Sequence, residues 1–237
     1  MLPLALDSHE RRASLLRREK QPPTGSLQLA LLLVVAGCYS SSLLQEPKPL
    51  PPGKVRGAIG LEIASPTGVS PAVGARIGLA PRTELRGKLS GGGGEIGINV
   101  QAVDSKVFDL MLMPSFIEYD IDDAFDEYSP HVHMIGFALP IVASASLDEA
   151  EQVQLFFGPD LRFGKRNDAA WSAVGVHVGA AIAGPYDHGT FIPECAFLQG
   201  VMAAESASVS PAGRTLSKGT HTISCSLGVT LGGSHQR

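Results

Sequence analysis

Residues 220–231 read THTISCSLGVTL, and the alternation within them decides the fold. His221, Ile223, Cys225, Leu227, Val229 and Leu231 take one side, while Thr220, Thr222, Ser224, Ser226, Gly228 and Thr230 take the other. Successive side chains of an extended chain point to opposite faces, so the stretch predicts a strand with one greasy face and one small, polar face. A helix would instead need apolar residues three and four apart.

The same period recurs upstream as far as Lys54, with no helical run between. Val55, Ile59, Leu61 and Ile63 oppose Arg56, Ala58, Gly60 and Glu62; Val73, Ile77 and Leu79 oppose Gly74, Arg76 and Gly78; Leu85 and Leu89 oppose Glu84, Arg86 and Lys88. Ile96, Ile98 and Val100 oppose Glu95, Gly97 and Asn99. A fifth face is made by Phe108, Leu110, Leu112 and Phe116 with Asp109 and Ser115 behind it, its pattern interrupted by Met111 and Met113. Then come Ile135, Phe137, Leu139 and Ile141; Val153, Leu155, Phe157, Leu161 and Phe163 against Gln154, Asp160 and Arg162; and Val174, Val176 and Val178 against Gly175, His177 and Gly179. Phe191 to Met202 is the least regular segment and carries Glu194 among apolar neighbours. Together with the last, about ten segments result.

Their connections alternate in length. Pro81–Arg82, Asp104–Lys106, Asp148–Glu151 and Pro185–His188 read as short turns; 65–70, the glycine tract 91–94, 120–130, 165–170 and 203–219 read as longer loops. An even strand count places both chain ends at the short-turn end.

Composition agrees with this reading. Only 18% of the residues are charged, and Gly 27 with Pro 17 make up nearly a fifth of the chain, well above ordinary usage. A net charge of -4 gives no reason to expect a nucleic-acid partner, because phosphate binding needs clustered basic surface.

Residues 1–37 read differently. Arg11, Arg12, Arg17, Arg18 and Lys20 precede an apolar run, Leu27 to Val35, which is too short for a ~20-residue spanning helix and suits the core of an export signal. It ends in Val35-Ala36-Gly37-Cys38. This resembles a lipobox, in which the cysteine is acylated and becomes the new N-terminus; Tyr39, in place of Asp, implies transport to the outer membrane. One acyl chain is marginal and several hold firmly, so palmitate-type anchoring at Cys38 is expected, with residues 38–53 as a Ser- and Pro-rich tether.

On these segments, residues 54–233 resemble the outer-membrane β-barrel families, followed by a tail at 234–237. The resemblance implies an all-β, up-and-down antiparallel barrel of about ten strands in the outer membrane, delivered by the lipoprotein and barrel assembly machinery, with long loops available to an extracellular partner. The terminal residues depart from those families, which commonly end in an aromatic residue.

A soluble periplasmic lipoprotein barrel binding an apolar ligand alternates in the same way, with the apolar face inward. The polar face discriminates between the two. It is rich in Gly, Ala, Ser and Thr, and its charges nearly balance: Arg56, Arg76, Arg86, Lys88 and Arg162 against Glu62, Glu84, Glu95, Asp109, Asp160 and Glu194. Such residues fit a narrow lumen filled by paired side chains better than a water-exposed wall. They are expected to form a lumenal charge network.

No phosphate loop, nucleophile elbow or H-E-x-x-H motif occurs, so neither enzymatic activity nor a cofactor is expected. The one suggestive cluster is Asp122, Asp123, Asp126 and Glu127 followed by His131 and His133, a weak candidate for a metal or for hydrolysis at the rim. Tyr119, Phe125, Tyr128 and Trp171 are expected in an interfacial aromatic girdle. Cys195 and Cys225 sit on apolar faces of neighbouring strands and read as small apolar free thiols, with a disulfide as the alternative if the register brings them together in an oxidising periplasm.

Overall fold

The alternation of β-branched and aromatic residues with glycine and small polar residues suits a pleated sheet, and the computed structural model builds one. It describes residues 42–65, 68–105, 108–121, 132–148, 152–167, 169–184, 189–203 and 221–231. Among them every regular element is a strand: β1 (Val55–Ser65), β2 (Gly68–Ala80), β3 (Thr83–Ser90), β4 (Gly93–Asp104), β5 (Asp109–Leu112), β6 (Ser115–Ile121), β7 (Val132–Ser146), β8 (Val153–Arg166), β9 (Ala169–Ala183), β10 (Thr190–Ala203) and β11 (His221–Leu231). All pairings are antiparallel, and β1 pairs with β11 from Gly57 opposite Leu231 to Ser65 opposite Ile223, closing the sheet into an up-and-down barrel.

The elements β5 and β6 are one stave in two pieces. Both lie between β4 and β7, and the register runs through the gap: Leu112 faces Val100 and Ile141, while Ser115 faces Gly97 and Ala138. Pro114 breaks the ladder because it has no N–H to donate. The barrel therefore has ten staves.

Three of the connections expected to be long are short. The strands run almost to the turns, leaving residues 66–67, 91–92 and 167–168. Gly92, at φ 81°, and Asn167, at φ 51°, take the left-handed conformation that Gly and Asn tolerate best. The longer connections are 122–131 and 204–220, outside the described residues.

The apolar faces point outward. Phe157 is 64% exposed, Leu227 57% and Val176 54%, whereas Glu84 and Asp160 are fully buried. The soluble alternative, with its apolar face inward, is thus the reverse of what is found. Phe116, Phe137 and Phe163 lie in direct register on three adjacent outward faces, with ring centroids 5.8 and 5.9 Å apart. Tyr119 and Trp171, expected in an outer girdle, are instead buried inside with Ile117, Met134, Ala138, Ala173 and Leu198. Parity overrides residue type here: Tyr119 shares its face with Ser115 and Ile117, and Trp171 shares its face with Ala173 and His177. Phe125 and Tyr128 lie outside the described residues.

The free-thiol expectation is also corrected. Cys195 and Cys225 are direct partners across β10 and β11, with Cα atoms 4.0 Å apart, and form a disulfide on the outward face. Such a bond suits an oxidising compartment.

Candidate functional site

The lumen gathers the chemistry. All eleven charges assigned to the polar face (Arg56, Glu62, Arg76, Glu84, Arg86, Lys88, Glu95, Asp109, Asp160, Arg162 and Glu194) are buried. Closure and register decide which of them meet.

On β1, β2 and β3, Arg56 stands opposite Arg76, and Arg76 opposite Arg86, a row of three guanidiniums. Like charges directly opposite destabilise a ladder unless acids intervene. Arg76 Nη1 donates to Glu84 Oε1 at 3.1 Å, and Asn99 Nδ2 donates to the same oxygen at 2.6 Å. Arg86 pairs with Glu95, whose Oε1 also accepts from Ser115 Oγ at 2.8 Å, and Lys88 Nζ lies 3.4 Å from Glu95 Oε2. Asp109 accepts from Gln101 Nε2 at 3.0 Å.

A second network crosses β8, β9 and β10. Asp160 Oδ2 accepts from Arg162 Nε at 2.7 Å and faces His177 Nε2 at 2.8 Å, while His177 Nδ1 faces Glu194 Oε1 at 2.8 Å. Both ring nitrogens can donate only in the imidazolium form. A histidine held by carboxylates on both sides has no nitrogen left to accept a proton from a nucleophile, so this triad is a brace and not a catalytic base.

The largest departure from expectation concerns residues 42–50. Expected as a flexible tether, they lie inside the barrel, with Ser42, Leu43, Leu44, Gln45, Glu46 and Leu50 buried. Glu46 pairs with Arg56 and Arg76 and accepts from Thr230 Oγ1 at 2.7 Å. Lys88 donates to the Ser42 carbonyl, the Leu43 N–H donates to Glu194 at 2.9 Å, and the Leu50 N–H donates to Glu84 Oε2 at 2.8 Å. Around Leu43, Leu44, Arg86 and Lys88 a void of only about 10 Å³ remains, the space of a single water.

Sequence reasoning missed Glu46 and the bracing role of His177. For His177 a signal exists, because its parity matches Asp160 and Glu194 on the flanking strands. For Glu46 the local signal, a run of prolines, describes extended chain without saying where that chain lies.

At the long-loop end His133 is half-buried and bonds Asp120 through Nδ1 at 2.7 Å, while its N–H donates to Asn167 Oδ1 at 2.9 Å. Asp122, Asp123, Asp126, Glu127 and His131 lie outside the described residues, as does Cys38. Among the described residues no three His, Cys, Asp or Glu side chains converge as metal ligands.

No family model matches the chain, and no curated protein does. Among solved structures it is similar to CdiB from Acinetobacter baumannii, at 7% identity and a TM-score of 0.33, over 75% of this chain and 60% of that one. It is also similar to Neisserial surface protein A, at 14% identity and a TM-score of 0.27, over 75% of this chain and 94% of that one. Both overlaps are too loose to transfer a role, so function is argued from the residues themselves.

Proposed function

We propose that the protein is a non-enzymatic barrel of the bacterial outer membrane, structural or acting through its loops, with a filled lumen and an acyl anchor at Cys38. The observation that carries this reading is the inverted polarity: apolar side chains form the outer belt while paired charges are buried within. A soluble monomer seldom exposes an apolar patch beyond ~300–600 Å², and this belt runs around the barrel. On β11 it extends from Ile223 to Leu231, about 27 Å along the strand and roughly 20 Å once tilted by ~40°. That height approaches the ~25 Å band of outer-membrane barrels. Closure leaves no strand edge to be satisfied by lipid.

The anchor has a structural consequence. Ser42 is held in the lumen, and at most ~14 Å of extended chain separates it from Cys38. Acylation there would load the seated segment and not a free tether.

The test is extraction and heat modification. The chain is expected to need detergent even with Cys38→Ser, to resist SDS until boiled, and to migrate differently heated and unheated. Acyl labelling is expected to be lost in Cys38→Ser alone. A monomer that dissolves in buffer without detergent would overturn the membrane reading, and labelling unchanged by the substitution would overturn the anchor.

A further inference from the structure

The lumen wall holds residues 42–50 in three separate ways. First, the register of β1 and β2 sets Arg56 beside Arg76, and the segment inserts the Glu46 carboxylate between them. Second, charged wall residues bond the backbone of the segment. Arg76 Nη1 donates to the carbonyls of Glu46 and Lys48, each at 3.2 Å, and Lys88 donates to that of Ser42; Glu194 and Glu84 accept the N–H groups of Leu43 and Leu50. Third, the wall is hollowed for one side chain. Gly60 and Gly228 face each other across β1 and β11, and a Cβ at either would come within 2.7 Å and 2.6 Å of Leu44 Cδ1.

Cations on carbonyls, acids on amides, a paired guanidinium site for a carboxylate and a glycine-floored seat for leucine together make a recognition surface for a bent, non-helical chain. The segment suits such binding and release. Pro47 and Pro49 carry no N–H to satisfy and fix φ at two positions, while the chain bends at residues 45, 47 and 48 and Leu44 takes a left-handed φ of 51°. Where Leu43 and Leu44 pack against Arg86 and Lys88, the void left between segment and wall is about 10 Å³.

We propose that the lumen is a binding site for a bent, carboxylate-bearing peptide, that residues 42–50 occupy it in cis, and that their departure opens the barrel to small solutes. This rests on the membrane reading above. It adds a gate, and a ligand class that the same site would accept in trans.

The test uses the full chain in planar lipid bilayers in potassium chloride. Two variants attack the segment and leave the wall intact: Glu46→Lys, which sets a cation against Arg56 and Arg76, and the double change Leu43→Ser with Leu44→Ser. The parent chain is expected to stay closed. Glu46→Lys is expected to raise the open fraction at least about thirtyfold, since removing one partner of a buried charge pair shifts an equilibrium by that factor or more. The double serine change is expected to raise it at least about tenfold, through the lost burial of two leucines. A synthetic peptide, SLLQEPKPL, is expected to close the opened variants, and the same peptide with Lys in place of Glu is expected to leave them open. Variants that show the heat-dependent band shift yet stay closed overturn the gate and leave the membrane barrel standing. Opening that neither peptide reverses, or that both reverse equally, overturns the peptide site. If neither variant folds, the segment is a permanent brace and the proposal falls. A parent chain with no heat-shifted form removes the barrel reading and this proposal together.

Discussion

Placing one arginine at mid-height on the outer wall, and one at its edge, measures what that wall touches. Leu227 lies near the middle of β11, opposite Leu61 on one side and Pro193 on the other, and is 57% exposed. His221 heads the same strand on the same face, opposite Gln199 and stacked on Phe197 at 6.1 Å. Neither side chain takes part in lumen packing, so their substitution tests the medium and not the core. If the belt lies in lipid, Leu227→Arg costs about 2–4 kcal/mol and His221→Arg about 0–1 kcal/mol, because a buried guanidinium is most expensive at the midplane. In water both would fall within about 0.5 kcal/mol of the parent. Trp171 is the chain's single tryptophan and is buried in the lumen, so its fluorescence follows unfolding in denaturant titrations from lipid vesicles. Equal midpoints for the two arginine variants would refute the assignment of outside and inside.

The lumen makes its own predictions. Asp160→Asn strips Arg162 and His177 of a shared carboxylate in a fully buried site, so it is expected to cost about 3–5 kcal/mol, whereas Asp104→Asn, which breaks the exposed pair with Arg82, costs under about 1 kcal/mol; the same fluorescence titration compares them. Gly228→Ala meets only the end of the Leu44 side chain at short range and is expected to lose about 1 kcal/mol or less. In the Leu44→Ala background, itself destabilised by the lost leucine, the same change should cost almost nothing, and a double-mutant cycle without coupling would remove Leu44 from its seat. Reduction of the denatured chain should free two further thiols for alkylation, and Cys195→Ala should lose about 3–4 kcal/mol for a loop of this length, read as an earlier denaturant midpoint; alkylation unchanged by reductant would contradict the disulfide.

How much of this was legible in the sequence varied with how local the deciding interaction was. The faces of β11 and of β8 could be read directly because period two is a property of the chain itself. Met111 and Met113, which blurred the fifth segment, keep that period and point inward with Asp109. Interfacial aromatics were misplaced when residue type was allowed to outrank parity: Tyr119 and Trp171 obey the period and lie within. Three loops were shorter than their turn residues suggested, because glycine, as at 91–94, or asparagine, as at 167, signals a turn without marking how close to it the strands run.

The sequence by itself determined the class of fold, the number of staves and the sorting of residues into an apolar and a polar face, since each follows from alternation along the chain. Only the tertiary structure decided which polar residues meet. Register between strands is set by closure of the whole sheet, and on it depend the row Arg56, Arg76 and Arg86, the triad Asp160, His177 and Glu194, and the bond between Cys195 and Cys225. The place of residues 42–50 was least legible of all. Proline keeps a segment out of helix wherever it lies; what draws this one into the barrel is a carboxylate site and a glycine hollow built by strands that come later in the chain.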